Sequence, residues 1–373
     1  MTAPTWLIVG KDISSETSGG LNSYVRGLSE AVRGSGRGLR LLLVARGPIK
    51  PETDTSLIRG GAAVRIWRFF LAGYRSGPVD VLNVHFAMYA APFLVGHAAS
   101  RALRRRPRTK VVFNYHGPWA LEAEVAGSRS RLKLRLMRTM ERACGRMADQ
   151  IVVLSNEFAR GAVEHLRVVP EKVHRVAPGL DERFAARATA HADRPEVHLV
   201  CVRRLTRRMG HLRLLEALEQ VDFLADGRPV VLHVVGGGEQ EGAIEHWVTE
   251  HERQANVVLH GRVPDDELLA VVDASDVAVV PTESLEGFGL VVIEAMARGL
   301  PVISTGQGGL REAMGPWARA PYLFDLGDPV QLSAAIRAAA AADPAERSAL
   351  REYALGFSWS RVVREIEEIA GCR

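Results

Sequence analysis

Cysteine is scarce in this sequence: Cys144, Cys201 and Cys372 are the only three in 373 residues. An odd, widely spaced set supplies neither a disulfide framework nor a metal-ligand pattern, and it suits a reducing compartment. Aromatic residues are also few, at 6%. None of them interleaves with the arginine-rich segments, so a base-stacking platform for nucleic acid is excluded. Long apolar runs are missing too. Residues 81–100 carry no formal charge, yet Asn83, His85, Pro92 and His97 interrupt them, and they read as a strand followed by a helix. No membrane-spanning helix is expected. The start, MTAPTWLIVGKD, lacks the charged n-region and the long apolar stretch of a secretory signal. The expected location is therefore cytoplasmic.

What is present is ordinary globular composition, 47% hydrophobic and 24% charged. The chain is longer than one hydrophobic core usually supports, so two domains are the default. Its net charge of +5 is concentrated in RALRRRPRTK (101–110) and SRSRLKLRLMRTMER (128–142). The simpler reading of these segments is a solvated helix face. The alternative is peripheral contact with an anionic surface such as the inner membrane.

Along the chain, short β-branched runs alternate with helical patterns. Strands are predicted at 6–10, 39–45, 79–86, 110–116 and 150–155, then at 197–204, 230–238, 257–261, 276–282 and 301–305. Helices are predicted at 20–33, 130–147, 211–220, 240–254, 265–274 and 289–298. Strands apolar on both faces and separated by helices imply parallel sheets built from βαβ units. Ten strands in two groups of five imply two doubly wound domains. The polar, Ala-rich stretch 178–196 is the expected linker.

Open parallel sheets bind ligands beyond the carboxyl ends of their strands, which directs attention to four loops. Gly19 and Gly20 open the first helix, where backbone can approach a ligand and helix-start amides favour an anion. His116 ends a strand within NYHGPW, placed to donate to a hydroxyl or phosphate. RRLTRRMG (203–210) groups four arginines at a strand-to-helix turn, a pattern suited to a diphosphate. The fourth is ESLEGFGLVVIEAMARGLP (283–301). Its helix is apolar nearly all round, which predicts burial, yet it carries Glu294. A buried carboxylate needs a hydrogen-bond donor, and on that helix only Arg298 is near, so a ligand is the expected partner. Glu286 stands ahead of the GFG turn. Two carboxylates flanking a helix start suit a ligand with hydroxyls on either side of a phosphate, as in a nucleotide sugar.

These residues match a known family. EGFGLVVIEAMARGLPVIST, with Gly308, Gly309 and Glu312, closely resembles the Glu-x7-Glu signature of the family 4 retaining glycosyltransferases of the GT-B fold. The resemblance extends through the Gly19–Gly20 loop, His116, ADQIVVLS (148–155), RRLTRRMG, HGRVPDDEL (260–268) and the terminal FSWSRVVREIEEI (357–369), nearly the whole chain. It implies an α/β architecture of two Rossmann-like domains facing across a cleft. Residues 1–178 would form the acceptor side and 179–356 the nucleotide-sugar side, with 357–373 crossing back to the first domain. It implies a hexosyltransferase that moves a sugar from a nucleoside-diphosphate sugar to a hydroxyl of a small-molecule, lipid or glycan acceptor. No metal or other cofactor is implied, and no Asp-x-Asp dyad follows a strand to hold a divalent ion.

By the same resemblance Glu286, His116 and Arg204 would serve catalysis. Glu294 would hold the donor ribose, and Glu286 the hydroxyls of the transferred sugar. The amides of Phe288, Gly289 and Leu290 would meet sugar or phosphate, and the backbone at Arg262 and Val263 the base. Gly19, Gly20 and His116 would complete the site. Two positions depart from the family: Met209 stands where a lysine is common, five residues after Arg204, and Pro178 where an asparagine often precedes the linker glycine. The missing lysine leaves the diphosphate short of a cation, and Arg208 is the expected replacement. A nucleotide-sugar epimerase on the same architecture is the alternative function. A dehydrogenase is disfavoured because VVGGGEQ (234–240) does not fit G-x-G-x-x-G.

Overall fold

The computed structural model describes residues 4–11, 20–44, 54–104, 109–186, 194–222, 224–225 and 227–372. Gly19 and the middle of the predicted linker lie outside them. Two compact units emerge: Met1–Gly179 with Ser358–Arg373, and Leu180–Phe357.

The first unit is built on a parallel sheet of β1 (Thr5–Gly10), β2 (Gly38–Val44), β3 (Thr55–Ile58), β4 (Val81–His85), β5 (Lys110–Asn114), β6 (Gln150–Val153) and β7 (Val173–Arg175). Their order is β3-β2-β1-β4-β5-β6-β7. The second sheet holds β8 (Val197–Val202), β9 (Leu224–Ala225), β10 (Arg228–Val235), β11 (Val257–Gly261), β12 (Val277–Val280) and β13 (Val302–Ser304). It runs β11-β10-β8-β12-β13, with β9 antiparallel at the start of β10. The expectation of five strands per sheet is thus corrected to seven and six. The additional strands β3, β7 and β9 have two to four residues each, too short to show a period of their own.

In both sheets the chain winds outward on one side of its first strand and then returns to the other. The reversals fall between β1 and β4, and between β8 and β12. Such switch points open a crevice at the strand carboxyl ends.

Helices fill the connections: α1 (Gly20–Gly34), α2 (Ala62–Arg75), α3 (Ala87–Arg104), α4 (Trp119–Val125), α5 (Arg131–Met147) and α6 (Asn156–Leu166) in the first unit. The second has α7 (His211–Glu219), α8 (Glu241–Glu250), α9 (Asp265–Asp273), α10 (Leu290–Ala297), α11 (Leu310–Met314), α12 (Pro329–Ala340) and α13 (Pro344–Leu355). The last helix, α14 (Trp359–Ala370), belongs to the first unit. Its Trp359 ring lies where side chains on Gly27 and Gly179 would fall, and meets Tyr24 edge-on at 5.0 Å. Glu367 accepts from the buried Trp6 Nε1 at 3.1 Å and pairs with Arg37. An apolar stripe on α14 (Val362, Val363, Ile366, Ala370) is fully covered.

Candidate functional site

The best-furnished switch point is that between β8 and β12. β8 delivers Arg203–Met209 at its end, and β12 delivers the loop 281–289. Beside them runs the glycine turn Gly236–Gly238 after β10. Arg203 N donates to Val235 O at 2.9 Å and Leu205 N to Gly237 O at 3.1 Å. The two turns lie so close that a side chain at Gly236 or Gly238 would strike the carbonyl of Arg203 or Leu205. Thus VVGGG is a packing device for the arginine turn.

Within that turn the arginines separate by role. Arg204 and Arg207 are exposed, and Arg204 has no protein partner among the described residues. Arg208 directs Nη1 to Leu285 O at 2.9 Å, while its own carbonyl accepts from Glu283 N at 2.9 Å. It braces the loop that carries Glu286. Arg203 meets a carboxylate, forming an ion pair with Glu286. Its Nε and Nη2 also lie 3.1 and 2.9 Å from the sulfur of Met209.

The 281–289 loop is held under strain. Leu285, next to Glu286, has φ +58, a conformation that costs of order 1–3 kcal/mol for a non-glycine residue. Glu286 O accepts from Gly309 N at 2.9 Å, and a side chain on Gly308 would collide with that same oxygen. The Gly308–Gly309 pair therefore fixes the loop. Gly289 caps α10 with φ +92, and a Cβ there would meet Leu310 at 2.5 Å. Phe288 is buried, with its ring edge-on to Phe357. As the first amides of a helix, those of Gly289 and Leu290 have no intrahelical acceptor.

Helix α10 is not sealed on every side, as its composition predicts. Leu290, Val291 and Glu294 are half-buried and form one partly open edge. Glu294 borders an apolar pocket shared with Phe184, Val202, Leu268, Val272 and Val291. Arg298 is not its partner: that guanidinium pairs with Asp273 and donates to Ala186 O at 2.5 Å. Arg262 is exposed and its Nε passes 2.9 Å from where a Cβ on Gly237 would lie, while Val263 beside it is half-buried. Nearby loops also hold polar atoms without a protein partner among the described residues. Thr206 Oγ1, Thr282 Oγ1 and both ring nitrogens of His211 are buried in this way. Burial, reinforced by the charge of Arg203, pulls the His211 pKa down to about 4. It is neutral at neutral pH.

In the first unit, Gly20 opens α1 and is exposed. His116 follows β5. Its Nε2 meets His85 Nδ1 at 2.9 Å, and Tyr24 stands edge-on to its ring at 4.9 Å. Burial pulls the His116 pKa down to about 3, and holds His85 well below the usual range. Both imidazoles are neutral, so one donates and the other accepts. Tyr24 Oη donates to Asn114 Oδ1, whose amide nitrogen donates to Asn83 Oδ1. Sequence reasoning missed this support. Its trace was the polar pair Asn83 and His85, two apart and so on one face of an otherwise apolar strand.

Two sequence families match this chain. "Glycosyltransferase Family 4" covers residues 18–184 and "Glycosyl transferases group 1" residues 183–356. A D-inositol 3-phosphate glycosyltransferase from Geodermatophilus obscurus is 34% identical over 238 residues, 58% of this chain and 51% of that protein. The chain thus aligns with only about half the length of that relative. D-inositol 3-phosphate glycosyltransferase 1 from Catenulispora acidiphila is 28% identical over 381 residues, 93% of this chain and 89% of that protein. Among solved structures, Anabaena HepE in complex with UDP and glucose matches with a TM-score of 0.70 at 17% identity, covering 98% of this chain and 100% of that one. That level of identity speaks for the fold alone. With family matches running from residue 18 to residue 356 and two Rossmann-like sheets in place, the chain belongs to the family 4 glycosyltransferases of GT-B fold.

Proposed function

We propose that this chain transfers a hexose from a nucleoside-diphosphate sugar to a hydroxyl of a small-molecule, lipid or glycan acceptor, with retention of anomeric configuration and without a metal ion. The observation that carries the reading is the β8–β12 switch point. It gathers a carboxylate on a clamped loop, an arginine without a protein partner among the described residues, and a helix start beside an apolar pocket edged by a second carboxylate. Such a pocket suits a nucleoside: the base lies on apolar walls and the ribose hydroxyls donate to Glu294. Arg204 and the amides of Phe288, Gly289 and Leu290 would face the diphosphate, so that charge growing on the leaving group meets donors oriented in advance. Glu286 would accept from hydroxyls of the transferred sugar. His116, neutral and backed by His85, would offer a hydrogen bond to sugar or acceptor. Anabaena HepE, crystallised with UDP and glucose, supports a nucleotide-sugar donor. The relatives above are named as glycosyltransferases, which gives an epimerase no support.

Glu294→Gln is the test of the nucleoside pocket. Losing a charge-assisted hydrogen bond is expected to weaken nucleotide affinity about 10- to 100-fold, with an unchanged fold by circular dichroism. An unaltered affinity in calorimetry would remove Glu294 from the site. Retention is read from the anomeric configuration of the product by NMR, and metal independence from turnover in excess EDTA. An inverted product or lost turnover would refute the respective half of the proposal.

The acceptor side has its own clue. Residues 55–147 contain 17 Lys and Arg against 4 Asp and Glu, although the whole chain is only +5. Helices α2 and α3 contain no acidic residue. They pack together, and α5 packs on α3. Trp67, Leu103, Leu132 and Leu136 on these helices are 58 to 80% exposed. No described helix is long and apolar enough to cross a membrane. Apolar tips amid basic side chains fit the surface of an anionic bilayer, which would bring a lipid-borne acceptor to the first unit. Leu132→Glu/Leu136→Glu is expected to reduce co-sedimentation with phosphatidylglycerol vesicles roughly 10-fold or more, since two leucines no longer bury their side chains. Equal binding by both proteins would return this face to ordinary solvated surface.

A further inference from the structure

The geometry points to Arg203 as the second diphosphate-binding cation of this site, and we propose that it fills the place left by Met209. This rests on the nucleotide-sugar reading above. The Arg203 side chain is 6% exposed, so its charge was taken out of water at a cost that good hydrogen bonds must offset. Those it has are poorly matched. Nε and Nη2 spend their protons on the sulfur of Met209, at 3.1 and 2.9 Å, and a thioether is a weak acceptor. Only the Nη2 contact with Glu286 is charge-assisted. Nη1 has no protein partner among the described residues. A guanidinium with five N–H donors, one carboxylate oxygen and one sulfur holds donors in reserve for a stronger acceptor.

Its position says which acceptor. Arg203 is the first residue beyond β8, at the switch point, and it grips Glu286 immediately before the α10 turn. Phosphate oxygens seated at that helix start would lie beside it, and they would accept charge-assisted hydrogen bonds from Nη1. The sulfur contact also locates the charge. The Met209 sulfur lies 2.9 Å from Nη2, so an ammonium carried on a side chain from 209 would reach the same neighbourhood as the guanidinium. The cation has been moved from position 209 to position 203. Arg208 is not available for this task in the same way, because its Nη1 is engaged on the Leu285 carbonyl. Without ligand, Arg203 and Glu286 neutralise each other. With ligand, the guanidinium would turn in part to the diphosphate and the carboxylate to sugar hydroxyls.

The decisive experiment moves the charge back. Wild type, Arg203→Met, Arg203→Lys and the double variant Arg203→Met/Met209→Lys are titrated calorimetrically with UDP, GDP and ADP and with the matching monophosphates. Arg203→Met is expected to weaken the preferred diphosphate about 10- to 100-fold, the loss of one charge-assisted contact, and to change the monophosphate less than about 3-fold. The double variant is expected to recover diphosphate affinity to within about 3-fold of wild type, and Arg203→Lys to keep most of it. Three results overturn the proposal: undiminished diphosphate affinity in Arg203→Met, equal losses for di- and monophosphate, or no recovery in a double variant that melts like wild type. Should Arg203→Met fail to fold, the double variant alone decides, by its diphosphate-to-monophosphate affinity ratio against wild type. A wild-type chain that binds none of the three diphosphates would instead overturn the donor reading beneath it.

Discussion

Glu286→Ala is expected to lower kcat/KM by about 10²- to 10⁴-fold, the largest loss of any single side chain in the site, because two charge-assisted hydrogen bonds go with the carboxylate. One is the contact with Arg203, which positions the guanidinium. The other is the acceptance of donor-sugar hydroxyls that the proposed function assigns to it. The loop itself should survive the change. Its backbone is held by the Gly309 amide on Glu286 O and by Arg208 on Leu285 O, and neither contact uses the carboxylate. Glu286→Gln separates the two parts. The amide still accepts from a hydroxyl, but it no longer neutralises Arg203, so an intermediate loss is expected. Steady-state rates with the preferred nucleotide sugar, beside the thermal midpoint of each variant, give the answer. A Glu286→Ala enzyme within about threefold of wild type would mean that the carboxylate fills neither role, since even one charge-assisted bond exceeds that.

The fold was largely legible before any coordinates, for a definite reason. Strands covered on both faces are continuous apolar runs, and VHLVCV, VVLHVV and DVAVV stand out between polar helix starts. β3 and β7 did not stand out. They lie toward the ends of the first sheet, half-buried and four and three residues long, with little apolar content to set them apart. Glu294 shows the opposite case. Composition alone made α10 look sealed, but burial depends on what covers each face. On the partly open edge, Val291 and Glu294 line a pocket whose other walls come largely from residues far off in sequence.

The site was legible as a set of loops and illegible as a set of contacts. Glu286, Arg204 and the glycine turns could be singled out because their residue types are unusual after a strand. Which arginine meets which carboxylate could not, since neighbouring arginines at a turn point in different directions. Arg203 looked like one more member of a basic cluster, and only the position of Met209 and Glu286 in space distinguishes it. Likewise His85 became part of the His116 site through a cross-strand neighbour, β4 beside β5, that no linear reading supplies.

The glycine turn gives the largest expected effect on stability. Gly236 has φ +140, which side-chain-bearing residues rarely adopt, and a Cβ there would sit 1.9 Å from Arg203 O. That oxygen is backbone and has nowhere to swing. It lies one peptide from the Arg203 amide that bonds Val235 O, and Gly236 N is itself bonded to Gly261 O at 2.8 Å. Gly236→Ala therefore adds about 1–3 kcal/mol for the strained dihedral to about 1–3 kcal/mol for the overlap. The sum, roughly 2–6 kcal/mol, is a large part of the 5–15 kcal/mol typical of a domain. The relief available is to push the 203–205 backbone away, which carries Arg203 and Arg204 off their positions, so nucleotide affinity should fall together with stability. Gly161→Ala is the matched control. Gly161 sits exposed in the middle of α6 with nothing within 4 Å of a new Cβ, and alanine there should add about 0.5–1 kcal/mol through helix propensity. Urea midpoints and calorimetry on the two variants should move in opposite directions for stability, and only Gly236→Ala should lose nucleotide. If Gly236→Ala unfolds at the parental midpoint and binds normally, the tight packing of the glycine turn on the arginine turn is not what holds this site.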